Sequence, residues 1–200
     1  MPLNNSTISV YIDTNIIPRD RTSGGSNGDL ARQLIDFCIT RNIDVRSPNG
    51  SLDDIFRNSE GHRVIPAKER AQMRRSIAPI EVEEEVSLSY FTPERGHLYQ
   101  ILQPAYDSST APFDHYRSLH ENSQSDFRIL AVAYDASWNR LTYFVTSDRD
   151  ICVPERIKSI EQVASDNDKQ LRIRCLSEES LAEICSAIDA ATNTEIRLLQ

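Results

Sequence analysis

The chain has 200 residues, of which 39% are hydrophobic, and a formal net charge of −8 at pH 7. This length suits one domain that buries a sizeable core without a metal or disulfide staple. No apolar run approaches the roughly 20 residues that cross a bilayer, and the amino terminus lacks the basic and apolar regions of a signal peptide. We therefore expect a single domain over residues 1–200, in the cytoplasm and without a membrane partner.

The net charge and the cysteines give two further expectations, one about nucleic-acid binding and one about disulfides. An acidic surplus weighs against a nucleic-acid interface spread over the whole surface, because phosphate contacts need lysine and arginine, but it leaves room for a local basic patch. The four cysteines are widely spaced and include no Cys-x-x-Cys pair; they are Cys38, Cys152, Cys175 and Cys185. We expect all four to be reduced residues of the core.

The first part of the chain predicts a strand, a helix and a second strand. Residues 8–12 place isoleucine or valine at every second position, which indicates a strand. After a loop rich in glycine and serine, Asp29 is predicted to cap a helix. Its apolar positions recur at helical spacing and are Leu30, Leu34, Ile35, Cys38 and Ile39. A second strand is predicted for residues 42–45.

The middle of the chain, residues 51–124, gives a weaker pattern. Prolines interrupt it at positions 66, 79, 93, 104 and 112. Between these helix breakers we expect several short helices, around residues 52–57, 67–75, 82–89 and 95–102.

The last part again alternates helices and strands. One helix carries an apolar stripe of Phe127, Leu130, Ala131 and Tyr134. Residues 141–146 are β-branched and aromatic, and residues 171–175 alternate, so both predict strands. Ser177 is predicted to cap a final helix. Strands that alternate with helices imply a mainly parallel sheet covered on both faces, which is a three-layer α/β/α domain.

Aspartate falls at three of the predicted element ends. Asp13 follows the first strand, Asp126 begins a helix, and Asp148 and Asp150 follow the strand of residues 141–146. Each alone suits a turn, a helix cap or a solvated loop. A parallel topology, however, brings all of them to the carboxyl edge of the sheet, where ligands bind. Clustered carboxylates repel one another unless a hard divalent cation binds them, so the pattern predicts a Mg²⁺ or Mn²⁺ site.

Three segments, in order, resemble the motifs of PIN-domain ribonucleases. Residues 10–17 are similar to that family's opening signature, an apolar strand followed by Asp-Thr-Asn. Residues 126–133 are similar to its penultimate acidic helix, an aspartate followed by aliphatic and small residues. Residues 144–150 resemble its last motif, a buried strand that runs into Thr-x-Asp-x-Asp. Each motif alone is common, but the ordered set is fairly specific and covers most of the chain.

The resemblance implies a PIN-like fold and a metal-dependent endoribonuclease that hydrolyses phosphodiester bonds in single-stranded or structured RNA with Mg²⁺ or Mn²⁺. The carboxylates that it assigns to metal binding and catalysis are Asp13, Asp126, Asp148 and Asp150. Asn15 and Thr146 would support this cluster through hydrogen bonds. Because many small members of the family are toxins of type II toxin–antitoxin systems, the resemblance adds a cognate antitoxin protein to the expected partners. A homodimer is a further expectation.

A further acid of the family has two candidates here. Residues 79–86 resemble its Pro-x-x-Val-x-x-Glu-aliphatic pattern and nominate Glu85, which requires an insertion within residues 43–76. Asp54 follows the second predicted strand at the more usual separation, but with aspartate in place of glutamate. The other glutamates of residues 81–84 fit a solvated helical face. Both candidates remain open.

A basic segment at residues 63–75 is the best local match to an RNA backbone. Its cationic residues are Arg63, Lys68, Arg70, Arg74 and Arg75. An ordinary exposed basic helix would have the same composition. The alternative function is a catalytically decayed PIN-like module that binds RNA or acts as a scaffold. The presence of Asp13, Asp126 and Asp148 together favours the active enzyme.

Overall fold

The computed structural model describes residues 7–13, 16, 27–48, 81–83, 130–148 and 151–198. The strands are β1 (Ile8–Ile12), β2 (Asp44–Pro48), β3 (Glu81–Glu83), β4 (Leu141–Thr146) and β5 (Leu171–Cys175). The helices are α1 (Asn27–Thr40), α2 (described over residues 130–136), α3 (Pro154–Asp166) and α4 (Leu181–Leu198). Among these helices, none combines the length and the apolar composition that a bilayer crossing requires.

The strands form one sheet in the order β3-β2-β1-β4-β5, and every neighbouring pair is parallel. After β1, the chain adds β2 and β3 on one side of β1 and then adds β4 and β5 on the other side. The strand order therefore reverses between β1 and β4, which is where open parallel sheets bind ligands. Ile12 lies opposite Val145 in this pair, so Asp13 and Thr146 come next on the two strands at the carboxyl edge.

Helices cover both faces of the sheet. Tyr11 and Phe144 point to one face, where they belong to a buried cluster with residues of α2 and α3. Val10 and Val145 point to the other face, where residues of α1 and α4 complete a second cluster. This alternation along β1 and β4 is what a strand buried on both faces requires. The predicted α/β class, with a parallel sheet between helical layers, is confirmed.

The predictions for β1, β4 and β5 are confirmed at the predicted bounds, whereas those for the first helix and the second strand are shifted. α1 begins at Asn27, so the predicted cap, Asp29, lies inside the helix. The second strand starts at residue 44 rather than 42. Asn42 has a φ of 55°, its N–H donates to Ile39, and the N–H of Ile43 donates to the carbonyl of Cys38. Asn42 therefore ends the helix in a Schellman turn, which excludes it from the strand.

Two other local predictions are wrong. Val82 pairs with Ser47 in β3, so the helix predicted for residues 82–89 does not start there. The final helix is capped by Ser180 instead of Ser177, because Ser180 and Glu183 form a reciprocal capping box with hydrogen bonds of 2.7 to 3.3 Å. The hydrogen bonds from Ser180 lower the pKa of Glu183, since they favour its charged form.

The expectation of four reduced cysteines is wrong for one pair. Cys152 and Cys175 form a disulfide with Cα atoms 5.7 Å apart, while Cys38 and Cys185 are free. Cys152 follows β4 and Cys175 ends β5, and these neighbouring strands bring the two sulfurs together. Cys38 lies in the opposite core, where burial raises its thiol pKa to about 12 and keeps it in the unreactive protonated form.

Side chains bond to the outer edge of β5. Glu161 of α3 accepts a hydrogen bond from the N–H of Ile173 at 2.8 Å, and Glu179 accepts one from the N–H of Cys175 at 3.3 Å. Both N–H groups point away from β4, because β5 bonds to that strand through its intervening residues. Two carboxylates therefore occupy positions that a neighbouring strand would otherwise fill.

Candidate functional site

Asp13 is a buried carboxylate at the carboxyl edge of the sheet, next to the point where the strand order reverses. It is only 4% exposed. Its N–H donates to the carbonyl of Val145 at 3.0 Å, which fixes its backbone against β4. Its Oδ2 atom accepts a hydrogen bond of 2.7 Å from the Thr146 hydroxyl. A buried charge is costly unless it is hydrogen-bonded or paired, so this side chain does more than form a surface turn.

The Thr146 hydroxyl connects Asp13, which follows β1, with the segment after β4 that carries Asp148. Thr146 is fully buried at the end of β4, and its Oγ1 atom donates to Asp13 while it accepts a hydrogen bond of 3.0 Å from the N–H of Asp148. The Thr146 carbonyl also accepts a hydrogen bond of 2.9 Å from the N–H of Leu176, after β5. One side chain thereby positions the Asp13 carboxylate and the backbone of the segment that carries Asp148.

Asp148 lies two residues beyond β4 and is partly exposed. Its carbonyl accepts a hydrogen bond of 2.8 Å from the N–H of Cys152. Asp148 is therefore bonded to the residues that directly precede α3. The structure thus brings Asp13, Thr146 and Asp148 together, at the edge of the sheet that the sequence indicated.

Two buried polar residues at this edge were missed by sequence reasoning. Ser47, at the carboxyl end of β2, donates a hydrogen bond of 3.3 Å to the carbonyl of Ile12 and so supports the strand end beside Asp13. Arg156 is fully buried in the first turn of α3 and continues the stripe of Ile160 and Ala164. The sequence signal that could have drawn attention to Arg156 is its spacing, because it stands four residues before Ile160 and eight before Ala164, on the same helical stripe.

Several predicted site residues lie outside the described residues. They are Asn15, Asp54, Glu85, Asp126, Asp150 and the basic residues Arg63, Lys68, Arg70, Arg74 and Arg75. Within the described ranges, no three His, Cys, Asp or Glu side chains cluster in a way that could hold a metal ion. Asp13 and Asp148 nevertheless lie at one edge of the sheet, and carboxylate oxygens are hard donors that suit Mg²⁺ and Mn²⁺.

Removing the Thr146 hydroxyl should weaken this edge. In Thr146→Val the Asp13 Oδ2 atom and the Asp148 N–H lose a shared partner, and we expect a loss of roughly 1–3 kcal/mol in the free energy of unfolding. Thr146→Ser keeps the hydroxyl and is the matched control. Urea unfolding followed by circular dichroism measures both. A valine variant as stable as the serine variant would contradict the bridging role.

No protein-family model and no curated protein matches this sequence.

Proposed function

We propose that the chain is a PIN-like, metal-dependent endoribonuclease that hydrolyses phosphodiester bonds in single-stranded or structured RNA. The observation that supports this most is the buried Asp13 carboxylate, held by Thr146 next to the backbone of Asp148. These residues lie where the strand order reverses, the position at which open α/β sheets bind ligands. They also belong to two of the three segments that resemble PIN-domain ribonucleases.

The proposed cofactor is Mg²⁺ or Mn²⁺. Asp13 and Asp148 would hold it, together with Asp126 and Asp150. When bound, such an ion activates water and stabilises charge on a phosphodiester. The Thr146 hydrogen bond leaves Asp13 able to bind a cation, because a carboxylate offers about four lone-pair sites on its two oxygens.

The contribution of the protein itself is to hold its acids in place before the substrate arrives. Thr146 orients Asp13 from β4, and the Asp148 backbone bonds to the same hydroxyl. Burial of Asp13 lowers the local dielectric constant, which strengthens its attraction for a cation. Without a cation, the acids would repel both one another and the RNA phosphates, so RNA binding should depend on divalent metal.

The test is incubation of the full chain with labelled single-stranded and hairpin RNAs. We expect cleavage with Mg²⁺ or Mn²⁺, ends that carry 5′-phosphate and 3′-hydroxyl, and loss of cleavage when the metal is removed with EDTA. Calorimetric titration with Mn²⁺ in the same buffer completes the experiment. Metal or RNA binding without cleavage would instead support the decayed RNA-binding or scaffold module. Absence of both cleavage and metal binding would reject the nuclease proposal.

The proposal extends to partners and location. A toxin nuclease would have a cognate antitoxin protein, act on cytoplasmic RNA and need no membrane. The basic residues of the segment 63–75 would contact the RNA backbone, and Glu85 or Asp54 would supply the additional acid. A homodimer is the proposed assembly.

A further inference from the structure

The disulfide between Cys152 and Cys175 links β5 to the segment between β4 and α3, which carries Asp148 and is called the acidic segment below. The N–H of Cys152 donates to the carbonyl of Asp148 at 2.8 Å, which connects these two residues directly. Cys175 is the last residue of β5, and the following N–H, that of Leu176, donates to the Thr146 carbonyl. The covalent bond therefore lies within four residues of Asp148 in sequence, and it joins the same two segments as the hydrogen bond between Leu176 and Thr146.

The disulfide also borders an open cavity. The cavity measures about 590 Å³ and lies between α3 and the segment that follows β5. Both cysteines line it, together with Pro154, Ile157, Arg172 and Glu179. Cys152 is 6% exposed and Cys175 is 1% exposed, so Cys152 is the less buried residue of the pair. A small thiol in the cavity would therefore lie beside the disulfide.

We propose that the Cys152–Cys175 pair is a site of thiol–disulfide exchange, with a dithiol as its reactant, and that its redox state controls the acidic segment at Asp148. A thiolate of the dithiol attacks the Cys152 sulfur, the S–S bond breaks, and Cys175 leaves as a thiolate. The second thiolate of the reagent then displaces Cys152 and forms the oxidised, disulfide form of the reagent. Two electrons pass to the protein, and the two protons of the dithiol end on the cysteines.

Reduction removes the covalent link between this segment and β5. Local opening of such a segment becomes easier when fewer interactions restrain it. The carboxylate of Asp148 is then less well positioned, and loss of a supporting interaction around metal ligands lowers metal affinity by about tenfold or more. This consequence rests on the proposed nuclease function, whereas the exchange reaction and the opening of the segment do not.

The experiment compares oxidised and reduced wild-type protein. The full chain is treated with dithiothreitol without denaturant, desalted under anaerobic conditions and probed in three ways. Peptide mass spectrometry after maleimide labelling should show new thiols at Cys152 and Cys175. Amide hydrogen exchange of residues 147–152 should accelerate, and calorimetry should show about tenfold weaker Mn²⁺ binding.

Cys152→Ser and Cys175→Ser should reproduce the reduced state, whereas Cys185→Ser, on the opposite face, is the control and should leave Mn²⁺ binding unchanged. The proposal would be overturned if the disulfide resists dithiothreitol in the native protein. It would also be overturned if the amide hydrogen exchange rates do not change on reduction. If neither redox form binds Mn²⁺ but amide hydrogen exchange still accelerates on reduction, the redox proposal stands and the metal-site proposal fails. Because the wild-type comparison needs no mutation, a variant that fails to fold does not decide the outcome.

Discussion

Replacement of Asp13 by asparagine should lower metal-dependent RNA cleavage by roughly 100-fold or more, because charge stabilisation by a bound metal is worth several kcal/mol and each 1.4 kcal/mol is tenfold in rate. Asparagine retains the size of the side chain and an oxygen that can accept the Thr146 hydrogen bond. The loss should therefore come from the missing charge and not from a changed fold. Initial cleavage rates at saturating Mn²⁺ measure it, with circular dichroism to confirm folding.

Asp135→Asn is the matched control for this charge change. Asp135 is an exposed aspartate at the end of α2, before β4 begins and therefore at the opposite edge of the sheet. Its replacement should leave the cleavage rate within about twofold of wild type, because charges separated by more than about 8 Å in solvent are largely screened. Undiminished cleavage by Asp13→Asn would show that the Asp13 carboxylate takes no part in the mechanism. Equal losses in both variants would indicate a general effect of net charge.

The largest stability effect should come from the core between the sheet and α1. Ile35→Ala should reduce the free energy of unfolding by about 2–5 kcal/mol, since Ile35 is 2% exposed and its truncation leaves a cavity. Ile39 lies one turn later on the same helix and is 48% exposed. Ile39→Ala makes the same chemical change and should cost less than about 1 kcal/mol, because surface substitutions rarely have large effects.

Urea unfolding of the two isoleucine variants, with their slopes compared, measures this difference. Both replacements give the same gain in helix propensity, so the contrast isolates burial. Similar losses in Ile35→Ala and Ile39→Ala would mean that α1 does not pack on the sheet as described.

The strands that the sequence predicts best are those with a clear apolar pattern. Apolar residues at alternating positions indicated β1 and β5, and a β-branched and aromatic run indicated β4. α3 was not predicted, because Arg156 replaces an apolar residue in its buried stripe and weakens the helical pattern. β3 was taken for part of a helix because glutamate is rare in strands, and only its pairing with β2 reveals it.

The candidate site was predictable in part for a similar reason. Asp13 and Asp148 follow strands whose parallel arrangement could be anticipated, so their common edge could be inferred before any distance was known. The role of Ser47 and the disulfide could not be inferred from the sequence, because both depend on which strands are neighbours. Cys152 and Cys175 are 23 residues apart and meet only because β4 and β5 pair in register.

The carboxylates on the outer edge of β5 restrict how this protein can associate with itself. An unprotected edge strand invites a second chain to extend the sheet, which leads to dimers or to aggregates. Here an incoming strand would have to displace Glu161 and Glu179 from the N–H groups of Ile173 and Cys175. It would also leave two negative charges without these hydrogen bonds. Self-association through this edge is therefore disfavoured, and a homodimer would have to form through another surface.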